Sequence, residues 1–162
     1  MALGLVVVGV VLDQRGAGYG LPVAVTGTSG ARAPWRATDV DPQAYADALV
    51  AGTNAARTAA GLDVLVGSSC AHDRAVERAQ ALVGAATLVH AGLAAVLVAC
   101  APSTAAAENL SRAAAGPQAV VDAWLDSPGH RANILDRGLD QVGAACVLDA
   151  GQVLCSEVFL GP

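Results

Sequence analysis

The chain contains no lysine: Lys and Arg together number nine, all of them Arg, against fourteen Asp and Glu, for a net charge of −5. No basic run is present, which argues against a nucleic-acid partner, and an anionic membrane surface would not attract such a chain. Aromatic residues make up only 3% of a chain that is 54% apolar, so the core has to be built mainly from Ala, Val and Leu. Side chains this small give each helix a thin apolar stripe, and close approach of backbones has to compensate. There is no C-x-x-C pair, which argues against a structural zinc site or a thioredoxin-like centre. Histidine and glutamate are scarce, so each one that occurs is a conspicuous candidate for chemistry. The length of 162 residues suits one compact domain with a short appendage, and no internal repeat is visible.

Residues 1–40 read as an export or anchor-like segment followed by a linker, and residues 41–162 as the domain. Ala2 to Leu12 is an apolar run too short to span a bilayer as a straight helix. It resembles the apolar centre of a signal peptide, although no Lys or Arg precedes it, and Ala31-Arg32-Ala33 has the small-x-small look of a cleavage site. Any membrane association is expected only through this segment. From Asp13 to Val40 no hydrophobic period is sustained, as in a linker. Asp41-Pro42 is a helix start with an N-cap and a first-turn proline, and Gly61 is a stop; Tyr45, Leu49, Ala56 and Ala59 can face inward between them. A second helix is expected from near Ser69 to about Val83. Ala75, Val76, Ala79, Leu82 and Val83 lie on its inner face, with Asp73, Arg74, Glu77 and Arg78 wet and His72 solvated on its polar side. Thr87 to Val98 fits either a buried strand or a helix. Ala106 to Ser111 reads as a short strand, and Pro117 opens another helix. Val142 to Leu148 and Gln152 to Leu160 read as a closing antiparallel hairpin.

Four cysteines fit two disulfides in an oxidising compartment. With a two-residue turn at Ala150-Gly151, Cys146 and Cys155 face each other across the hairpin at a separation a disulfide can span. Cys70 would then pair with Cys100, tying the second helix to the loop before Glu108. The alternative is four reduced, buried thiols.

The stretch from Trp124 to Leu135, Trp-Leu-Asp-Ser-Pro-Gly-His-Arg-Ala-Asn-Ile-Leu, organises the rest. Val120, Val121, Trp124 and Leu125 share one helical face. Pro128 ends or sharply kinks that helix, and Ser127 is placed to cap a second one with His130 in its first turn. This stretch resembles the W-x-x-S-P-G-H-R-x-N-I-L signature of the CAP superfamily (cysteine-rich secretory, antigen 5 and pathogenesis-related 1 proteins), in its bacterial, actinobacterial-type form. Asn54-Ala55-Ala56-Arg57 with Gly61-Leu62 is similar to the family's first helix. His90 stands in the place of its first histidine, Ala107-Glu108-Asn109-Leu110 in that of its G-E-N-L/I segment, and Cys155 to Gly161 in that of its closing strand. The resemblance covers about Asp41 to Pro162. It implies an α+β fold, a three-layer α-β-α sandwich with a small antiparallel sheet, in which a short helix carries His90.

The resemblance also implies a cleft where His90, Glu108 and His130 converge. Two imidazoles and a carboxylate suit a divalent metal such as zinc, with His90 and His130 as ligands and Glu108 as a third candidate. Water on that metal would be acidified and could attack a carbonyl or phosphoryl group. Against this stands a purely structural reading, with Glu108 and His130 as a hydrogen-bonded pair fixing the helix corner. Ser127 occupies a position where the family often has a second acidic residue, Ala107 replaces a glycine, and Glu157 stands where the family commonly has Gln. Glu157 could add a carboxylate to the cleft or face solvent. A nucleophile at Ser127 beside Asp126 and His130 lacks an evident oxyanion hole, Trp124 reads as core, and Arg131 and Asn133 as braces of the turn. The resulting expectation is a secreted or surface-exposed monomer. It would be an extracellular binding module for a small ligand, a lipid or a cell-wall component, with a metal-dependent hydrolase using His90, Glu108 and His130 as the alternative.

Overall fold

A computed structural model describes residues 36–162. The expected export segment, its cleavage site and most of the linker lie outside these residues. Ala37–Asp39 forms one 3-10 turn, and Ala37 and Val40, from the end of the stretch read as linker, pack against the main core.

The first helix, α1, spans Pro42–Ala59; Asp41 caps it by accepting the Gln43 amide. Tyr45, Ala46, Leu49, Thr53 and Arg57 are its buried residues, whereas Ala59, expected to face inward, is exposed. Arg57 takes the inner position near the helix end instead, where its guanidinium donates to the carbonyls of Asp63, Ile134, Asp136 and Leu139. A two-residue strand β1, Val66–Gly67, leads into α2, Ser69–Ala81, which buries Ala71, Ala75 and Ala79. Val83, expected on the inner face of α2, lies beyond its end and is exposed. Helix α3, Ala94–Ala99, is followed by strand β2, Ala105–Ala113. Helices α4, Pro117–Asp126, and α5, Pro128–Ile134, share Ser127 as C-cap of the one and N-cap of the other. Strands β3, Gln141–Asp149, and β4, Gln152–Gly161, close the chain. The turn between them places Ala150 and Gly151 at φ 50° and 80°, as a two-residue hairpin with the right-handed strand twist requires.

The sheet runs β1-β3-β4-β2. The long strands are antiparallel, while β1 pairs parallel with β3 over two residues, a pairing too short to leave a sequence period. On one face α1, α4 and α5 cover Val142, Ala144, Val153, Cys155 and Phe159, with Trp124 and Ile134 filling between them. On the other face α2 and α3 cover Ala145, Val158 and Leu160. This is the three-layer α-β-α arrangement of an α+β fold. The shortage of large side chains is met as composition demands. A Cβ on Gly143 of β3 would lie 2.1 Å from the His72 amide nitrogen of α2, so helix and strand touch backbone to backbone. Both disulfides form in the expected pairing, Cys70–Cys100 with Cα atoms 5.7 Å apart and Cys146–Cys155 with Cα atoms 4.1 Å apart in direct register.

Candidate functional site

Glu108 lies on β2, an edge strand, with its side chain buried under α2. Strand alternation puts it on the α2 face, in register with Val158 of β4. Its carboxylate is enclosed by three donors. Arg78 Nε donates to Oε1 at 3.0 Å, Ser156 Oγ donates to the same oxygen at 3.1 Å, and His90 Nδ1 lies 2.9 Å from Oε2. Arg78 was expected to stay wet on the polar side of α2. It leans over the sheet instead, and its Nη2 also donates to the Val89 carbonyl at 2.7 Å, fixing the segment that carries His90. A buried carboxylate needs such a cation, because an isolated charge under a helix is strongly disfavoured. Neither Arg78 nor Ser156 carries a local sequence signal for this role; only the packing of α2 across the sheet assembles them.

His90 sits in irregular chain before α3, not on a helix as the family likeness implied. Helical structure starts only at Ala94, after a turn at Leu93, and His90 is thereby left half-exposed at the cleft mouth. His130, in the first turn of α5, is buried; its Nδ1 lies 3.0 Å from Ser127 Oγ and its ring centroid 6.4 Å from that of Trp124. Burial first, and the nearby charge of His90 second, hold its pKa below the ordinary 6.5. The structural pair expected between Glu108 and His130 is therefore replaced by His90–Glu108 and Ser127–His130 pairs, adjacent to each other. Asn133 links them to the sheet, donating from Nδ2 to the Glu108 carbonyl at 3.2 Å and to Asn109 Oδ1 at 2.9 Å, and Asn109 Nδ2 donates to the His130 carbonyl at 3.4 Å. Trp124 is core, as read, its Nε1 donating to the Leu110 carbonyl.

Over these residues opens a cleft of about 270 Å³ lined by His90, Leu93, Ala106, Ala107, Glu108 and Asn133. A smaller recess of about 100 Å³ between Arg74, Arg78, Leu93, Val96 and Glu108 adjoins it. Among the described residues no group of three or more His, Cys, Asp or Glu side chains is arranged to hold a metal ion. Locally, Glu108 pairs with Arg78, Ser156 and His90, and His130 with Ser127, in place of a common centre. The residues present thus do not fit the three-ligand set, and no hydrolytic step is derived through it.

Two further residues differ from expectation. Glu157 neither lines the cleft nor meets solvent. It is fully buried on the opposite face of the sheet, where Thr53 Oγ1 of α1 donates to it, and burial pushes its pKa up to about 8. His72 is half-buried, not solvated; its Nδ1 lies 3.0 Å from the Ala144 carbonyl of β3. It lines a separate groove of about 500 Å³ between α1 and α2, beside Asp47 and Ser69.

The model of the cysteine-rich secretory protein family, CAP, matches residues 50–159, more than half the chain and all of the elements that build the cleft. The chain belongs to the CAP family. No curated protein sequence matches it at a significant level. The CAP fold extends to solved structures. An outer surface protein from Borrelia burgdorferi superposes with a TM-score of 0.68 at 19% identity, over 75% of this chain and 96% of that one. A cysteine-rich secretory protein from Staphylococcus aureus gives 0.67 at 20% identity, over 75% of this chain and 40% of that one. An extracellular SCP-domain protein from Bacillus anthracis gives 0.64 at 17%, over 75% and 41%. This CAP chain thus spans about two fifths of the length of the last two proteins. At such identities the likeness is one of fold.

Proposed function

We propose that this CAP domain acts outside the cell, as a monomeric binding module whose ligand sits in the cleft over Ala106 to Glu108, beside His90. The carrying observation is the state of Glu108. Its oxygens are engaged by Arg78, Ser156 and His90, so it serves to organise the floor of the cleft. What the cleft does offer is fixed hydrogen-bonding groups beside the apolar side chains of Leu93 and Ala107, the usual make-up of a recognition site. Extracellular placement is supported by the two disulfides and by neighbours described as secretory, extracellular or of the outer surface. Among the described residues no helix is long and apolar enough to cross a membrane.

The ligand classes in view are a small polar molecule, a lipid and a soluble cell-wall fragment. Thermal melts of the oxidised full chain with each of these, beside His90→Ala, test the reading. A compound that raises Tm in the wild type and loses that effect in the variant supports it. Compounds that shift both proteins equally would move the site elsewhere.

A further inference from the structure

The backbone at the cleft floor points to a further ligand class, an inference that rests on the binding reading above. In an antiparallel ladder every second residue turns its N–H and C=O away from its partner strand. For β2 the outward set is identified by two side chains: Asn133 Nδ2 donates to the Glu108 carbonyl and Trp124 Nε1 to the Leu110 carbonyl. Ala106, two residues earlier, therefore also faces outward, away from its register partner Leu160 on β4. Helices α4 and α5 cover the Leu110 end of this edge. At Ala106 that cover is gone and the strand runs along the cleft. The N–H and C=O of Ala106 and the N–H of Glu108 have no hydrogen-bond partner among the described residues.

Unpaired main-chain groups on two edge-strand residues that line a cleft, spaced at the two-residue repeat of about 7 Å, match one chemistry closely. We propose that the occupant is an extended polypeptide segment that adds to β2 as a short extra strand. Its amides would pair with Ala106 and Glu108, in the manner of strand-addition recognition. The run Ala105-Ala106-Ala107 carries only methyl groups, so nothing bulky obstructs the edge. The adjoining recess under Leu93 and Val96, lined by the ion pairs Arg74–Glu77 and Arg78–Glu108, takes one ligand side chain. Edges of this kind are normally blunted or covered because they recruit strands, and on this one Asn133 and Trp124 take the Glu108 and Leu110 carbonyls.

A phage-displayed random heptapeptide library selected on the oxidised full chain supplies the probe. The selected peptide is then made synthetically with a single N-methyl group at each position in turn. Strand addition predicts one sensitive position, the amide that donates to the Ala106 carbonyl, where N-methylation costs about tenfold in affinity, with little change at the neighbouring positions. Ala106→Pro, which removes an outward N–H without touching the β4 ladder, should weaken the parent peptide similarly while the melting curve stays within a few degrees. Affinity indifferent to N-methylation, or a selection that returns no binder, overturns the inference. A peptide weakened by His90→Ala yet indifferent to N-methylation would overturn strand addition and leave the cleft as a binding site. A peptide unaffected by either change would remove support from both.

Discussion

Thr53 Oγ1 of α1 lies 3.0 and 3.1 Å from the two carboxylate oxygens of Glu157 on β4, deep between helix and sheet. Glu157 is fully buried and has a pKa of about 8, so at neutral pH it is mostly protonated. In the unfolded chain its pKa is the ordinary 4.5, so the folded state holds a proton there that the unfolded state gives up. The sign follows from linkage: the stability present below pH 4.5 is lost progressively as pH rises toward 8, by on the order of 1 kcal/mol per unit. Glu157→Gln, a neutral isostere, should remove this dependence. Denaturant unfolding of wild type and variant at pH 5 and pH 8 checks it; a difference between the two proteins that does not grow with pH would count against the buried-acid account.

His130 works in the opposite direction. Its pKa is held below 6.5, so its contribution is present above pH 6.5 and is lost as pH falls through the folded-state pKa. The side-chain NMR titration of His130 should have its midpoint below 6.5. In His90→Ala, with a neighbouring positive charge gone, that midpoint should move up. A midpoint at or above 6.5 in the wild type would contradict the buried setting.

The donors around Glu108 are not equivalent. His90→Ala frees one oxygen at the half-exposed side of the cleft, and a cost of about 1 kcal/mol is expected. Arg78→Ala removes the cation from a buried carboxylate and releases the Val89 carbonyl, with about 3 kcal/mol expected. Equilibrium unfolding of both variants decides the order; equal losses would mean that Arg78 is a surface partner only.

The two disulfides should separate by loop length. Cys70–Cys100 closes a span of 30 residues and Cys146–Cys155 one of 9. Replacing both cysteines of the longer bridge by Ser should cost about 3–4 kcal/mol, and of the shorter about 2.5–3 kcal/mol. Thermal melts of the two double variants give the comparison.

Zinc titration by calorimetry addresses the alternative reading. With His90 paired to Glu108 and His130 to Ser127, the expected result is no saturable binding that depends on both His90 and His130. Stoichiometric binding abolished by His90→Ala and by His130→Ala alike would restore the metal-centred reading.

Much of this was legible in the residues because local rules sufficed. Asp41-Pro42 starts α1, Ala150-Gly151 sets the hairpin register, and that register puts Cys146 opposite Cys155. Trp124 and His130 follow from a proline placed between two short helices. The rest depends on tertiary placement. His72 and Arg78 look solvated on a helical wheel, but α2 lies so low on β3 that both reach sheet or cleft. Glu157 could not be assigned a face until the alternation of β4 was anchored by Cys155 and Phe159 in the core beneath α1. His90 lies in an alanine-, valine- and leucine-rich run whose helical part starts only at Ala94, a boundary no cap residue marks.

The bare contact between Gly143 and the start of α2 has a mechanical consequence. Helix α2 behaves as a beam seated on β3, pinned near its first turn by Cys70 and holding Arg78 over the cleft two turns further on. A single methyl group at position 143 would lift the seat, and the far end of the beam would carry the Arg78 guanidinium away from Glu108. The cleft can therefore be detuned from a residue that never touches it, with the loss appearing as a slackened His90 and not as a missing contact.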